Sequence, residues 1–198
     1  MIFTTFRIKE NSMFNRPDFE IGFWNAWIFM LPHIASFPLF FRLAKDRKPP
    51  NIPEAGLSKF MMSFCCLSKL IYFPAVVYSI FLPLKLRTAW FYTGLPIALI
   101  GLAAYAIFLV NWADTPPGKP VTRGLYRYTR HPMYISTSLL LLGVTVASAS
   151  WVFLAITVIT VVGEVVFAGL EEQGCIERYG DVYLEYRDRT PRWLGIPK

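Results

Sequence analysis

Hydrophobic residues fall into five long blocks, which shorter polar segments separate. The blocks cover residues 21–41, 60–84, 89–112, 132–147 and 151–170. Each is near the ~20 residues that a helix needs to cross a bilayer. Only Ser148, Ala149 and Ser150 separate the last two blocks, which predicts a helical hairpin. The pattern therefore predicts an all-α, integral membrane helical bundle of about five transmembrane helices, followed by a cytoplasmic tail of amphipathic helices.

The polar segments also predict an orientation, because Lys and Arg accumulate on the cytoplasmic side of membrane proteins. With five spans, residues 42–59, residues 113–131 and the C-terminal tail share one side and hold 14 Lys and Arg. The opposite side holds 5. This difference predicts that both long loops and the C-terminus lie in the cytoplasm and that the N-terminus lies outside.

The composition agrees with a membrane protein. Hydrophobic residues make up 55% of the chain and charged residues 17%, whereas an average soluble domain has about 25% charged residues. Charged residues interrupt residues 1–20, so no cleavable signal peptide is predicted. The net charge of +7 does not indicate nucleic acid binding, because the cations flank apolar blocks, where membrane lipids with anionic headgroups are the expected partners. No obligate protein partner is indicated.

Several common catalytic motifs are absent from the sequence. There is no G-x-G, so neither the Rossmann fingerprint nor the P-loop is present. With two histidines and no H-E-x-x-H, the sequence does not offer a His-rich metal or di-iron site. The three cysteines have no C-x-x-C spacing and are expected to be reduced and structural.

Three polar residues interrupt the predicted spans: His33, Lys69 and Glu164. An ionisable residue inside a membrane is costly and by default marks a functional site. The alternative is structural, since Lys69 could pair with Glu164 or extend to the membrane surface. Both interpretations stay open at this point.

The polar stretch from 119 to 134 concentrates chemical groups just before the fourth block. It contains four cations, three tyrosines and one of the two histidines. Pro132 suits the first position of a helix, and a helix N-terminus beside Arg130 and His131 is an anion-binding site. A charged membrane flank with tyrosine anchors is the other interpretation. Since the predicted hairpin is antiparallel, this stretch should meet Glu171 and Glu172 at the end of the fifth block.

These motifs resemble the signature of the isoprenylcysteine carboxyl methyltransferase and phospholipid methyltransferase superfamily of integral membrane enzymes. The resemblance covers about residues 117–193. Its motifs are Gly124-Leu125-Tyr126, Arg130-His131-Pro132-Met133-Tyr134, Glu171-Glu172, Gly180, Tyr183, Tyr186 and Arg189-Thr190-Pro191.

The resemblance implies that S-adenosyl-L-methionine binds near the cytoplasmic face without a Rossmann domain. The residues that would line the cofactor are Lys119, Pro120, Val121, Gly124, Tyr126, Arg130, His131, Pro132 and Tyr134. Glu171 and Glu172 would hold its polar groups. No metal is implied.

The acceptor stays open between several chemical classes, all of them lipophilic or lipid-linked. Arg189 matches the arginine that orients the acceptor in the carboxyl methyltransferases, and would suit an isoprenylcysteine-like carboxylate. An amine, as in a phospholipid headgroup, or a thiol needs a base, for which Glu171 is the candidate.

The resemblance also implies two halves. Residues 1–112 would form an N-terminal arm and three spans that face lipid and acceptor. Residues 113–198 would form the cofactor-binding loop, the hairpin and the catalytic tail.

Two alternative functions are compatible with parts of the pattern. Membrane sterol or steroid reductases that use NADPH share a similar R-H-P-x-Y, and Cys175 would fit them. They typically have Asn at the position of Met133 and an acidic residue soon after Tyr134, where this chain has Ile135-Ser136-Thr137. A non-enzymatic membrane scaffold would leave the meeting of R-H-P with Glu171 and Glu172 as a structural ion pair.

Overall fold

The chain folds into helices, as a computed structural model shows for residues 19–45 and 59–198. Within this part no β-strand forms, and one isolated bridge joins Asn25 to Pro83. The helices are α1 (Trp27–Ala35), α2 (Phe37–Ala44), α3 (Lys59–Ile80), α4 (Ala89–Ala113), α5 (Pro132–Ser148), α6 (Trp151–Tyr179) and α7 (Asp181–Arg189), with a 3₁₀ turn at Gly124–Arg127. The predicted all-α class is confirmed for these residues. The side chains of residues 44 and 59–69, among them Lys69, lie outside the described part.

Two helices, α4 and α6, are long and apolar enough to cross a membrane, judged by length and composition. The predicted first block is divided at Ser36 into α1 and α2, and α5 is also shorter than a full span. The part of α3 whose side chains the structure describes, residues 70–80, is a short apolar helical segment. The structure thus supports a membrane-associated helical protein with two candidate spans, while the five spans and their orientation stay predictions.

The hairpin of α5 and α6 forms as its short connection predicts. Ala149 adopts a left-handed conformation with φ of 49°, and the Ser150 hydroxyl accepts a hydrogen bond from the Phe153 N–H at 3.2 Å. Helix α6 differs from its prediction, because it continues nine residues beyond Leu170 to Tyr179. Glu and Arg are good helix formers, so the polar end of α6 extends the helix until Gly180, with φ of 57°, ends it.

Helix α5 packs closely on α4, and this contact fixes where the hairpin lies. A Cβ atom added to Gly143 would lie 2.2 Å from the Ala98 nitrogen, and one added to Gly101 would lie 2.5 Å from the Leu140 nitrogen. Such small residues let helix backbones approach each other within a membrane. The N-terminus of α5 is thereby held near the C-terminal end of α4.

The C-terminal tail folds back onto the segment that precedes α5. The Tyr186 hydroxyl donates to the Tyr126 carbonyl at 2.7 Å. The Arg130 N–H donates to the carbonyls of Pro191 and Arg192 at 3.1 and 3.3 Å. These backbone contacts bring the tail, although remote in sequence, against the beginning of the hairpin.

Candidate active site

Polar side chains join α5 to α6 along the whole hairpin. Starting at the turn, the pairs are Thr145–Thr157 at 2.9 Å, Ser138–Glu164 at 2.7 Å, Tyr134–Glu171 at 2.9 Å and His131–Glu172 at 3.0 Å. The pair nearest the turn joins two hydroxyls, and each of the other three includes a carboxyl group. The hairpin therefore has one uncharged end and one end at which ionisable groups gather.

The start of α5 is built so that the ring of His131 faces α6. The Thr129 hydroxyl accepts a hydrogen bond from the His131 N–H at 3.1 Å and donates to the Arg192 carbonyl at 3.1 Å. Pro132 occupies the first turn, where its missing N–H has no cost. The imidazole takes no part in capping, and its two nitrogens are directed at Glu171 and Glu172.

Glu172 is the buried centre of the charged end, with 4% of its surface exposed. Arg192 holds it with two parallel bonds, from Nε to Oε1 at 3.0 Å and from Nη2 to Oε2 at 2.7 Å. His131 Nε2 lies 3.0 Å from Oε1, and Arg130 Nη1 lies 3.2 Å from Oε2. Three side chains from two parts of the chain, Arg130 and His131 at the start of α5 and Arg192 in the tail, thus converge on one carboxylate.

Glu171 differs from its neighbour because about a third of its side chain is exposed. The Tyr134 hydroxyl donates to Oε2 at 2.9 Å, and His131 Nδ1 lies 3.6 Å from the same oxygen. Glu171 can therefore contact a ligand, whereas the oxygens of Glu172 are engaged by the protein itself.

The pKa of His131 is raised above its ordinary value. Burial alone would lower it, but hydrogen bonds to Glu171 and Glu172, together with the charges of both carboxylates, outweigh burial. The imidazole therefore keeps its proton to a higher pH than a free histidine does, and in the protonated form both ring nitrogens donate. With His131 protonated, three cations face two carboxylates, and this group of residues has an excess positive charge.

A cavity of about 560 Å³ lies beside these groups. Nine of the predicted cofactor residues line it: Lys119, Pro120, Val121, Tyr126, Arg130, His131, Pro132, Tyr134 and Glu171. Aromatic side chains from α2, α4, α6 and α7 complete its walls: Phe40, Phe41, Phe108, Trp112, Tyr179, Tyr183 and Tyr186. The volume is within the ~300–1,000 Å³ of small-molecule sites.

Three predicted residues lie outside this lining. Glu172 lies behind the cavity wall. Gly124 has φ of 62°, and an added Cβ would lie 2.0 Å from Asn111 Oδ1, so glycine serves the local turn. Arg189 is exposed on α7, and its Nε donates to the Glu185 carbonyl at 3.3 Å.

The comparison with protein families agrees with this geometry. Residues 88–182 match the model of the phospholipid methyltransferase family. That family belongs to the isoprenylcysteine/phospholipid methyltransferase superfamily. The resemblance seen in the motifs is thus confirmed, and the match indicates a membrane methyltransferase. The match begins at residue 88 and so includes α4, which the motifs alone did not reach. No curated protein sequence matches the chain.

Within this candidate site, Arg130 has hydrogen-bonding donors that the protein does not use. Its Nε and Nη1 are buried and make no aligned hydrogen bond to the described residues. Nη1 lies within ion-pair distance of Glu172, so the contact is electrostatic without a well-directed hydrogen bond. Buried donors are normally satisfied, and an anionic ligand in the cavity would satisfy these.

Among the residues that hold Glu172, Arg192 makes two hydrogen bonds but was not predicted as a site residue from the sequence. It follows α7 in an irregular segment, and its only signal was its place among several tail arginines. The tyrosines of the tail were visible as a stripe of helical spacing, which packing on the bundle also explains. Phe40 and Phe41 come from α2, where no motif pointed to the site.

Proposed function

We propose that this chain is an S-adenosyl-L-methionine-dependent methyltransferase that acts on a lipophilic or lipid-linked acceptor at the charged end of the hairpin. The observation that carries the proposal is the buried guanidinium of Arg130, with unsatisfied donors, in a cavity beside Glu171. The family match supports it, because it covers the α5–α6 hairpin on which these residues lie.

The residues present fit this cofactor. Its carboxylate would suit Arg130, the excess positive charge and the N-terminus of α5. Its ammonium and ribose hydroxyls would suit Glu171, the partly exposed carboxylate of the lining. The tyrosine and tryptophan rings would suit its adenine and its sulfonium cation.

When bound, the cofactor supplies a methyl group activated by the sulfonium. The protein would then contribute mainly alignment and exclusion of water. Arg130 and His131 would fix one end of the ligand, and the aromatic walls would shield the other end. Glu171 could accept a proton from a protic acceptor. Arg189 is a second proposal, as the group that would orient an anionic acceptor from its exposed place on α7.

Calorimetric titration of the purified full-length protein in detergent tests this proposal. We expect binding of S-adenosyl-L-methionine and none of NADPH. Glu171→Gln and His131→Ala should weaken binding about tenfold or more. Arg189→Ala should leave binding unchanged and lower turnover. Glu177→Gln is the matched control, because this exposed carboxylate on the same helix does not line the cavity.

Two results would contradict the proposal. Binding of NADPH alone would favour the reductase, and binding of neither would favour a scaffold. Equal loss of binding in Glu171→Gln, His131→Ala and Arg189→Ala would argue against the division of roles between cofactor and acceptor.

A further inference from the structure

A second cavity, of about 280 Å³, lies beside the first. Residues of α1 to α6 line it, and six of the twelve lining residues are Phe or Tyr. Met133 and Tyr134 line both cavities, so the two adjoin at the start of α5. Because a cavity of about 150 Å³ can hold benzene, the second cavity has room for an aromatic ring with a short substituent.

His33 lines this cavity and carries a buried polar atom without a partner. The residue is 4% exposed, and its Nδ1 is hydrogen-bonded to the Tyr72 hydroxyl. Its Nε2 has no hydrogen-bond partner among the described residues. In that part of the chain, Tyr78 and Arg130 hold the other buried side-chain atoms of this kind, and neither lines the second cavity. Since buried polar atoms are normally paired, Nε2 points to a ligand with one hydrogen-bonding group.

The bond between His33 and Tyr72 restricts what this group can be. In a neutral imidazole one nitrogen donates and the other accepts, so Nε2 takes the role that Nδ1 does not have toward the Tyr72 hydroxyl. A hydroxyl group can serve Nε2 in either case, whereas an ammonium can only donate and an ether or a carboxylate can only accept. A hydroxyl is also neutral, so that its burial costs far less than that of a charged head. A ligand hydroxyl is therefore the group that fits Nε2 best.

The surroundings of His33 favour a flat aromatic ligand. The rings of Tyr105, Phe37 and Tyr72 stand edge-on to the imidazole, with centroids 4.2, 5.4 and 5.5 Å from it. All three also line the cavity. Edge-to-face and offset contacts between rings stabilise beyond the area that they bury. A ring that carries the hydroxyl would make such contacts, and an aliphatic alcohol would not.

The cavity reaches the apolar outer surface of the bundle. Phe73, one of its lining residues, is 63% exposed. Leu70 and Val77 on the same face of α3 are exposed as well. A ligand that arrives from the surrounding lipid would therefore have to be lipophilic.

We propose that the second cavity binds a lipophilic phenol, whose hydroxyl is hydrogen-bonded to His33 Nε2 and whose ring packs among the aromatic side chains around that histidine. The inference goes beyond the proposed function, because it stands on the second cavity alone and holds whether or not the chain transfers a methyl group. The shared lining places the phenol next to any ligand of the first cavity.

Photo-crosslinking of the purified protein in detergent tests the inference. The probe is a phenol with a trifluoromethyl diazirine opposite its hydroxyl, and two analogues carry hydrogen or an aminomethyl group instead of the hydroxyl. We expect the phenol to label α3 and α6 near Phe73 and Phe167 about fivefold more than either analogue. Labelling at Leu99 and Ile100, exposed residues of α4 outside the cavity, corrects for partition into detergent. Equal corrected labelling by the phenol and the analogue without a hydroxyl, or a preference for the amine, would overturn the inference.

Two variants locate the contact. His33→Asn should reduce phenol labelling about fivefold, because the amide can keep the bond to Tyr72 while Nε2 is removed. Tyr78→Phe is the matched control, since it removes a buried hydroxyl that also has no described partner but lies outside the cavity. It should leave labelling unchanged. Undiminished labelling in His33→Asn, or equal losses in both variants, would overturn the contact with Nε2, and the comparison of probes on the original chain holds even where a variant fails to fold.

Titration of the same samples with S-adenosyl-L-methionine separates the two proposals. His33→Asn should bind it within about twofold of the original chain, since His33 does not line the first cavity. Cofactor binding without a preference for the phenol would overturn the second cavity's role alone. Phenol labelling without cofactor binding would overturn the methyltransferase assignment and support the phenol site by itself.

Discussion

The cavity beside Glu171 and a second cavity of about 280 Å³, lined by residues of α1 to α6, share Met133 and Tyr134 but differ in how buried polar groups are paired. In the first, Glu172 is surrounded by three cationic side chains, and the protein itself supplies nearly every partner. In the second, His33 and Glu164 lie among aromatic rings, and one buried nitrogen has no partner among the described residues. The protein itself thus compensates the charge of Glu172, and the buried donors of Arg130 are left for a ligand.

This difference bears on what each site can select. A preassembled charge network fixes the position of the groups that hold a cofactor, since none of them must reorganise on binding. A sparsely polar cavity recognises a head group by the few contacts it offers and rejects heads that leave those contacts unpaired.

The largest expected effect comes from breaking the preassembled network at its centre. Glu172→Gln removes the charge that compensates Arg130, His131 and Arg192. Removal of one partner from a buried ion pair costs about 3–5 kcal/mol. We expect about 3 kcal/mol here, because Arg192 is 46% exposed and can turn toward solvent. The loss is measured as a lowered free energy of unfolding in detergent.

Glu177→Gln is the control for this change, since Glu177 lies on the same helix and is exposed. If Glu172→Gln were as stable as Glu177→Gln, the three contacts would not stabilise the fold, and the contrast between the cavities would fail.

The pH dependence of stability tests the charged contacts of His131. Its expected effect is smaller than that of Glu172→Gln and larger than that of Tyr134→Phe. Since the pKa of folded His131 is raised, its contribution is fully present below the ordinary histidine pKa of about 6.5 and disappears as pH rises through the folded value. A neutral imidazole donates from one nitrogen only. We therefore expect a loss of about 1.5 kcal/mol, the value of one charged hydrogen bond.

The measurement is the difference in unfolding free energy between the original chain and His131→Gln as a function of pH. The difference cancels the contribution of groups that titrate in the same way in both proteins. The difference should shrink as pH increases through the neutral range and above. A difference that stayed constant from pH 5 to 9 would show that His131 does not bind both carboxylates as a cation.

The charged end of the hairpin could be predicted from the sequence because features close together in the chain determine it. The three-residue turn at 148–150 fixes an antiparallel pair, and Glu171 is then brought to His131 by helix geometry alone. Arg192 could not be found in this way, because the backbone contacts of Arg130 with the tail carry it into place. The break at Ser36 was missed for a related reason, since an uninterrupted apolar block does not show where a helix divides.

The sequence indicated two polar residues of the second cavity but not that they line the same cavity. His33 and Glu164 were each conspicuous as polar residues inside apolar blocks. That they line one cavity depends on how α1, α3 and α6 pack, which no local pattern encodes. The pairing considered for Glu164 was with Lys69, whose side chain lies outside the described residues, and the described contact of Glu164 is with Ser138.

The smallest expected effect is that of Tyr134→Phe. This substitution removes one oxygen atom from a residue that lines both cavities. The hydroxyl donates to Glu171 at 2.9 Å, while the ring lines both cavities. Loss of this hydrogen bond should weaken cofactor binding by about 1 kcal/mol, or roughly fivefold. Calorimetric titration of Tyr134→Phe beside the original chain gives this number. Unchanged binding would show that the Tyr134 hydroxyl does not hold Glu171 in place for the cofactor.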